Sequence, residues 1–225
     1  HLGIIQSSLL FTLNYVGDYD RATLFFEHQR FNELQVLPLA HLIKPHLNQR
    51  NPGRKLKIGY ISPDFHKHSV AYFIEPLLAQ HDHQRFEIYC YYNNIKTDEV
   101  TQRLQAWADH WLTCVGLSDE TLATRIRQDQ IDILVDLAGH TANNRLLVFA
   151  RQPAPVQVTY LGYSNTTGLS TIDYRLTDSY TDPEGVADKF SAEKLVRLPG
   201  SYFCYRPPEV SSPPPNQRLP VIQNG

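Results

Sequence analysis

The chain has no methionine among its 225 residues. It therefore cannot include its own initiator residue and is expected to be a piece of a longer protein. It has only three cysteines, Cys90, Cys114 and Cys204. An odd count with no CxxC pair excludes a disulfide framework and a cysteine-rich zinc module, and matches reduced thiols in a cytoplasmic protein. No apolar run approaches the roughly 18 residues of a membrane-spanning helix. The opening HLGIIQSSLLFTLNY lacks the basic start and cleavage site of a signal peptide. Charge of one sign is not in excess: Lys and Arg number 21, Asp and Glu 23, for a net charge of −2. With no cluster of Lys or Arg, no nucleic acid is expected as a partner, and no membrane. Neither GxGxxG nor GxxxxGKS/T occurs, so the chain has no nucleotide fingerprint of its own. What is present is ordinary for a globular protein, 42% hydrophobic and 20% charged, and long enough for one good core with an appendage.

Residues 5–47 read as helical. Leu9, Leu10 and Leu13 make a short apolar stripe that Gly17 and Asp18 break. Asp20 then starts a helix with Leu24, Phe25, His28 and Phe31 on one side. Residues 48–54, NQRNPGR, form a polar turn-rich linker. From 55 on, strands and helices alternate. The strand candidates are 55–62, 86–93, 111–115, 131–138, 156–162, 174–178 and 194–198. The first intervening helix places Val70, Phe73, Ile74, Leu77 and Leu78 on one face, with an expected kink at Pro76. The second carries Val100, Leu104, Trp107, Ala108 and Trp111 and is opened by Thr97, with Asp98 and Glu99 in its first turn. The third opens at Ser118 and runs to Gln128. This alternation predicts an α/β fold, a mostly parallel Rossmann-like sheet with right-handed crossovers. The tail, 206–225, holds six of the 15 prolines and reads as an extended linker.

The segment KLKIGYISPDFHKHSVAYF, residues 55–73, concentrates the chemistry. A strand ends in a turn that holds Asp64, His66 and His68, and an apolar-periodic helix follows at once. In open parallel sheets, ligands bind beyond the carboxyl ends of the strands, where helix N-termini present N–H groups. Three readings of the turn stay open. Asp64, His66 and His68 could ligate a metal for hydrolysis, given further ligands such as Asp136 and His140. His68, oriented by Asp64, could do acid–base or electrostatic work. The pair could also be a solvated surface contact. Asp136-Leu-Ala-Gly-His140-Thr141 repeats the arrangement at another strand end. Leu161-Gly162 through Gly168 is a third such exit, rich in hydroxyl and amide groups able to approach a sugar or phosphate.

The ordered series KIGYISPDFxxH, FEIYCYYN, ILVDLAGHT, RxPAPVQVTYLGYxxTTG, IDYRLTD and FSAEKLVRLPGSYFCY resembles the O-linked N-acetylglucosaminyltransferase family with its SPINDLY-like relatives. The likeness covers about residues 5–210. SSLLFTLNY and EHQRF look like the last helices that join a tetratricopeptide array to the catalytic region. The resemblance implies the N-terminal lobe of a GT-B glycosyltransferase. Residues 1–50 would be the end of the helical repeat region, 55–205 the Rossmann-like lobe, and 206–225 a linker to an absent C-terminal lobe that holds most nucleotide contacts. It implies inverting transfer of a sugar, N-acetylglucosamine foremost, from a nucleotide sugar such as UDP-GlcNAc to Ser or Thr hydroxyls of a protein or peptide acceptor. Neither metal nor cofactor is implied. By motif match, His68 and Asp64 are the catalytic positions. Leu161 and Gly162 line the sugar pocket, with Thr141 and His140 as neighbouring substrate contacts. Animal members have Pro where this chain has Ser69, Tyr where it has His140 and Pro where it has Ser164, and their upstream-helix histidine falls at Gln6. Glucose and fucose donors also occur in the wider family. A non-enzymatic repeat scaffold with a degenerate transferase lobe is the alternative of a different class.

Overall fold

The computed structural model of the chain describes residues 2–51 and 53–207. Seven strands form one sheet in the order β3-β2-β1-β4-β5-β6-β7, with every neighbouring pair parallel. They are β1 (Leu56–Ser62), β2 (Phe86–Tyr92), β3 (His110–Thr113), β4 (Ile133–Asp136), β5 (Val156–Thr159), β6 (Tyr174–Thr177) and β7 (Lys194–Arg197). Six of the seven fall inside the segments read from the sequence, most of them trimmed at the ends, and β3 starts one residue earlier, at His110. The helices are α1 (Leu2–Leu13), α2 (Arg21–Phe31), α3 (Ser69–Ala79), α4 (Glu99–Ala106), α5 (Asp119–Gln128) and the single turn α6 (Leu146–Phe149). A π-helical turn, Asn32–Val36, and a 3-10 segment, Leu37–Leu42, continue α2.

Local chemistry explains the boundaries. The Asp20 carboxylate accepts the Thr23 N–H and starts α2, and the Ser118 hydroxyl accepts the Thr121 N–H to start α5. Thr97 does not open α4. Asp98 does, accepting the N–H groups of Val100 and Thr101, while the Thr101 hydroxyl accepts the Asp98 N–H. Both residues have capping side chains, but the Thr97 hydroxyl donates to Ile95 O, and the Asp98 carboxylate is the one that meets these donors. Trp111 belongs to β3 rather than to α4. Helix α3 continues through Pro76 to Ala79.

Strand periodicity divides the core. Ile88, Cys90 and Tyr92 pack on one side of the sheet with Val70, Ile74 and Leu78 of α3. Tyr89 and Tyr91 pack on the other with Leu122 and Ile126 of α5. Leu10, Leu13, Phe31 and Val36 join this second cluster together with Phe149 and Leu169. The N-terminal helices thus share a core with the sheet. Leu9 leaves the expected stripe and is half exposed, whereas Leu10 and Leu13 are buried. The proposed linker lies outside the described residues from 208 onward.

The strand order sets the site. From β1 the chain winds outward through β2 to β3, then returns across the sheet to β4, which pairs with β1 on its other side. The winding direction reverses between β1 and β4, and the crevice outside their carboxyl ends is where open α/β sheets bind ligands.

Candidate active site

At that crevice lies a cleft of about 600 Å³. Asp64, His68, His140, Thr141, Leu161 and Gly162 all border it, so residues from three strand exits, separated by up to a hundred positions in sequence, converge on one space. Ser8, Phe11 and Thr12 of α1 close one side, and Phe73 and Phe203 another. The sequence assigns none of these last five to the site, and Phe73 reads only as part of the apolar face of its helix.

The turn after β1 is held by its own hydrogen bonds. The Asp64 N–H donates to Ser62 Oγ at 2.9 Å, and the Lys67 N–H donates to the Asp98 carboxylate at 2.8 Å. His68 is the N-cap of α3: its Nδ1 accepts the Val70 N–H at 3.3 Å. That bond puts the neutral ring's proton on Nε2, the nitrogen left for a ligand. Asp64 Oδ2 stands 3.8 Å from His68 Nδ1, too far for a hydrogen bond. Burial raises the Asp64 carboxyl above its ordinary range, opposed by the charges of His68 and His66. Asp64 is therefore a better proton acceptor than a surface aspartate.

His66 faces the interior. It is 8% exposed, and Tyr92 Oη lies 3.2 Å from its Nδ1. Burial, then the Lys96 charge, lowers its pKa. Among the described residues no three His, Cys, Asp or Glu side chains converge as a metal site, so the Asp64/His66/His68 ligand set does not assemble.

The exit from β4 is built on Asp136. Its buried carboxylate accepts the N–H groups of Ala138 and Gly139 and the Thr159 hydroxyl. Burial pushes its pKa up to about 6 against those bonds. Gly139, at φ +53°, turns the chain against Tyr163, whose Cβ would lie 2.2 Å from any Cβ at 139. Thr141 donates its hydroxyl to Ala138 O at 2.8 Å, which leaves its oxygen lone pairs for a donor in the cleft.

His140 borders the cleft, but its ring nitrogens are turned to partners within the fold. His140 is 1% exposed and both nitrogens are committed. Nε2 lies 2.8 Å from Thr167 O and Nδ1 2.7 Å from Ser7 Oγ. A carbonyl can only accept, so Nε2 carries the proton and Nδ1 accepts from the serine hydroxyl. Burial and the nearby His28 take its pKa down to about 3, and it is neutral. The rings of Phe31, His28 and Tyr163 enclose it at centroid distances of 4.8–5.3 Å.

The exit from β5 is strained. Leu161 has φ +68°, and the Gly162 N–H reaches back to Tyr160 O at 3.0 Å. A tight turn around a non-glycine residue in the left-handed region is a conformation that surrounding structure must impose. Gly162 itself fits only as glycine, since a Cβ there would lie 2.0 Å from Leu137 O. Further along, Glu193 accepts both Thr166 and Thr167 hydroxyls and the Thr167 N–H, fixing the loop in a buried site.

The sequence profile described as glycosyl transferase family 41 matches residues 21–206. A protein of Petunia hybrida named "Probable UDP-N-acetylglucosamine--peptide N-acetylglucosaminyltransferase SPINDLY" is 40% identical over 96% of this chain and 23% of its own length. The protein of the same name from Arabidopsis thaliana is 46% identical over 79% of this chain and 20% of its own. Among solved structures, a mutant O-GlcNAc transferase of Thermobaculum terrenum superposes with a TM-score of 0.87 at 38% identity, covering 92% of this chain and 40% of the bacterial one. The chain thus spans about a quarter of the length of the curated relatives and less than half of the solved one. With a profile match over most of its length, the chain belongs to glycosyl transferase family 41.

Proposed function

We propose that this chain forms one wall of the active centre of a protein O-glycosyltransferase that moves N-acetylglucosamine from UDP-N-acetylglucosamine to Ser or Thr hydroxyls. The printed names of the relatives support the reaction class. The observation that carries it to this chain is the convergence of Asp64, His68, Thr141, Leu161 and Gly162 on one cleft at the switch point of the sheet.

In this reading the acceptor hydroxyl attacks the anomeric carbon from the face opposite the leaving diphosphate. The new C–O bond forms as the sugar–phosphate bond breaks, the electron pair leaves with UDP, and the configuration inverts. Asp64, made more basic by burial, takes the hydroxyl proton. His68 donates from Nε2 to an oxygen of the acceptor or donor. Leu161 and Gly162 lie along the sugar, and Thr141 accepts a hydrogen bond from it. No metal or other cofactor takes part. The diphosphate is neutralised by the rest of the protein, since Asp64 and His68 alone do not supply the positive charge it needs. Three unpaired cysteines, Cys204 among them exposed, fit a cytoplasmic enzyme.

The test is transfer by the full-length protein to a Ser-containing peptide, read by mass. The expected product is heavier by one N-acetylhexosamine, β-linked from an α-linked donor, and insensitive to chelators. The 225-residue chain alone is expected to give none. Loss of activity with a chelator sinks the metal-free reaction, and absence of transfer by the full-length protein favours a scaffold.

A further inference from the structure

We propose that Ser7 of α1 is a positioning residue of the transfer site, holding two walls of the cleft in register through His140. This rests on the function proposed above.

Ser7 is 3% exposed and lies within a helix that is otherwise largely apolar. Its hydroxyl donates to His140 Nδ1 at 2.7 Å, and its oxygen accepts from Asn144 Nδ2 at 3.0 Å. The same Asn144 nitrogen donates to Thr141 O at 2.8 Å. Ser7 is therefore bonded twice to the segment that follows β4, on both sides of Thr141. His140 passes the constraint on, because its Nε2–H donates to Thr167 O in the loop that follows Leu161–Gly162. Glu193 clamps Thr167 in turn. The Thr167 carbonyl fixes the ring proton on Nε2, and the Ser7 hydroxyl completes the bridge by donating to Nδ1, so that one buried imidazole links α1 to the β4 and β5 exits.

A second contact between the same parts runs parallel to it. His28 Nδ1–H donates to Leu24 O at 2.6 Å, so its Nε2 accepts from Tyr163 Oη at 2.8 Å. Tyr163 Oη also accepts from Asn14 Nδ2 at 2.7 Å. Gly168 approaches so closely that a Cβ there would lie 2.4 Å from His28 O. This second contact holds the loop against α2 whether or not Ser7 is present. Loss of the Ser7 hydroxyl is therefore expected to loosen the Thr141 wall locally, leaving the fold in place. Displacement of a substrate-positioning wall by a fraction of an ångström to 1 Å costs about 10- to 100-fold in rate.

The experiment compares Ser7→Ala and Ser7→Thr in the full-length protein, with kcat and KM for UDP-N-acetylglucosamine, thermal melting, and the 15N signals of the His140 ring. For Ser7→Ala the expected result is a kcat lowered about tenfold or more at a nearly unchanged melting temperature. The Nδ1 signal should move toward that of an unbonded imidazole nitrogen. Ser7→Thr keeps the hydroxyl and is expected to recover most of the rate. A wild-type kcat in a Ser7→Ala protein whose Nδ1 signal has moved overturns the proposal, as does a rate loss matched by loss of melting temperature in both variants. If the unmodified protein transfers no sugar, the proposed function fails by itself. The Nδ1 signal then still decides the relay, and an unchanged signal in Ser7→Ala rejects it.

Discussion

His68 Nδ1 and Asp64 Oδ2 stand 3.8 Å apart at the head of α3, while the same Nδ1 accepts the Val70 N–H. The imidazole is thus oriented by a helix N-terminus, with the carboxylate beside it. This gives the two histidines of the turn different expected behaviour. His68→Ala removes a half-exposed capping ring and should cost about 1 kcal/mol of stability or less, yet lower transfer about 100-fold or more. His66→Ala removes a buried ring bonded to Tyr92 and should cost about 2 kcal/mol or more. Initial rates and melting curves for both variants separate the two. A near-normal rate for His68→Ala would return that residue to a structural role.

Gly162 is expected to tolerate no side chain. The nearest atom to an added Cβ is the Leu137 carbonyl oxygen at 2.0 Å, and the next two are also backbone. No rotamer change relieves such a clash, so the β4 and β5 exits must move apart, and Gly162→Ala should destabilise by about 3 kcal/mol or more. Gly185 is the control: at φ +73° with nothing within 4 Å, its alanine variant should cost only the left-handed strain, about 1–2 kcal/mol. Denaturant midpoints test this, and equal losses would contradict the backbone clash.

Leu161 is expected to separate stability from function. Its φ of +68° carries strain of about 1–2 kcal/mol that glycine would relieve. Glycine would also lose partly buried packing and add about 1 kcal/mol of backbone entropy. Leu161→Gly should therefore melt within a few degrees of the parent while raising KM for the nucleotide sugar about tenfold, the scale of a lost apolar contact. An unchanged KM would remove Leu161 from the sugar pocket.

Much of this was legible in the sequence because it depends on local pattern. Apolar runs bounded by turn residues marked all seven strands, and capping residues placed the starts of α2 and α5. The strand exits drew attention to Asp64, His68, Thr141, Leu161 and Gly162 because polar and glycine residues follow apolar runs there. What remained hidden depends on distance along the chain. The partner of His140 is Ser7, 133 positions away, and nothing near either residue declares the pairing. His140 therefore looked like a free imidazole at a strand end. His28 did carry a signal, as a polar residue in the apolar stripe of α2, but its partner Tyr163 lies 135 positions on. The strained turn at Leu161 was masked by the neighbouring Gly162, the residue type expected to take a positive φ.

The two fully enclosed histidines, His28 and His140, should make the fold acid-sensitive. His140 is taken down to about 3 by burial and by the nearby His28, and His28 is lowered by burial. Burial disfavours the charged form of both in the folded chain, while in the unfolded chain each binds a proton below about pH 6.5. The unfolded state then holds more protons, so stability is fully present above about pH 6.5 and falls as pH drops, by about 1.4 kcal/mol per pH unit for His140, with His28 adding in the same direction. Asp136 works in the opposite direction. Raised to about 6, it keeps its proton in the folded state between about pH 4 and 6, where the unfolded carboxyl has lost it, and so its contribution grows as pH falls. Glu193 adds negative charge near His28 and Asp136. The two histidines together outweigh the aspartate, and the net expectation is a loss of stability between about pH 6.5 and 5. His140→Gln keeps a donor for Thr167 O and an acceptor for Ser7 but removes one titration, so its stability should fall less than the parent's from pH 6 to 5. Urea midpoints of both proteins across this range are the measurement. A parent stability that holds or rises on acidification, or a His140→Gln profile parallel to the parent's, would show that His140 takes up its proton without disturbing the fold.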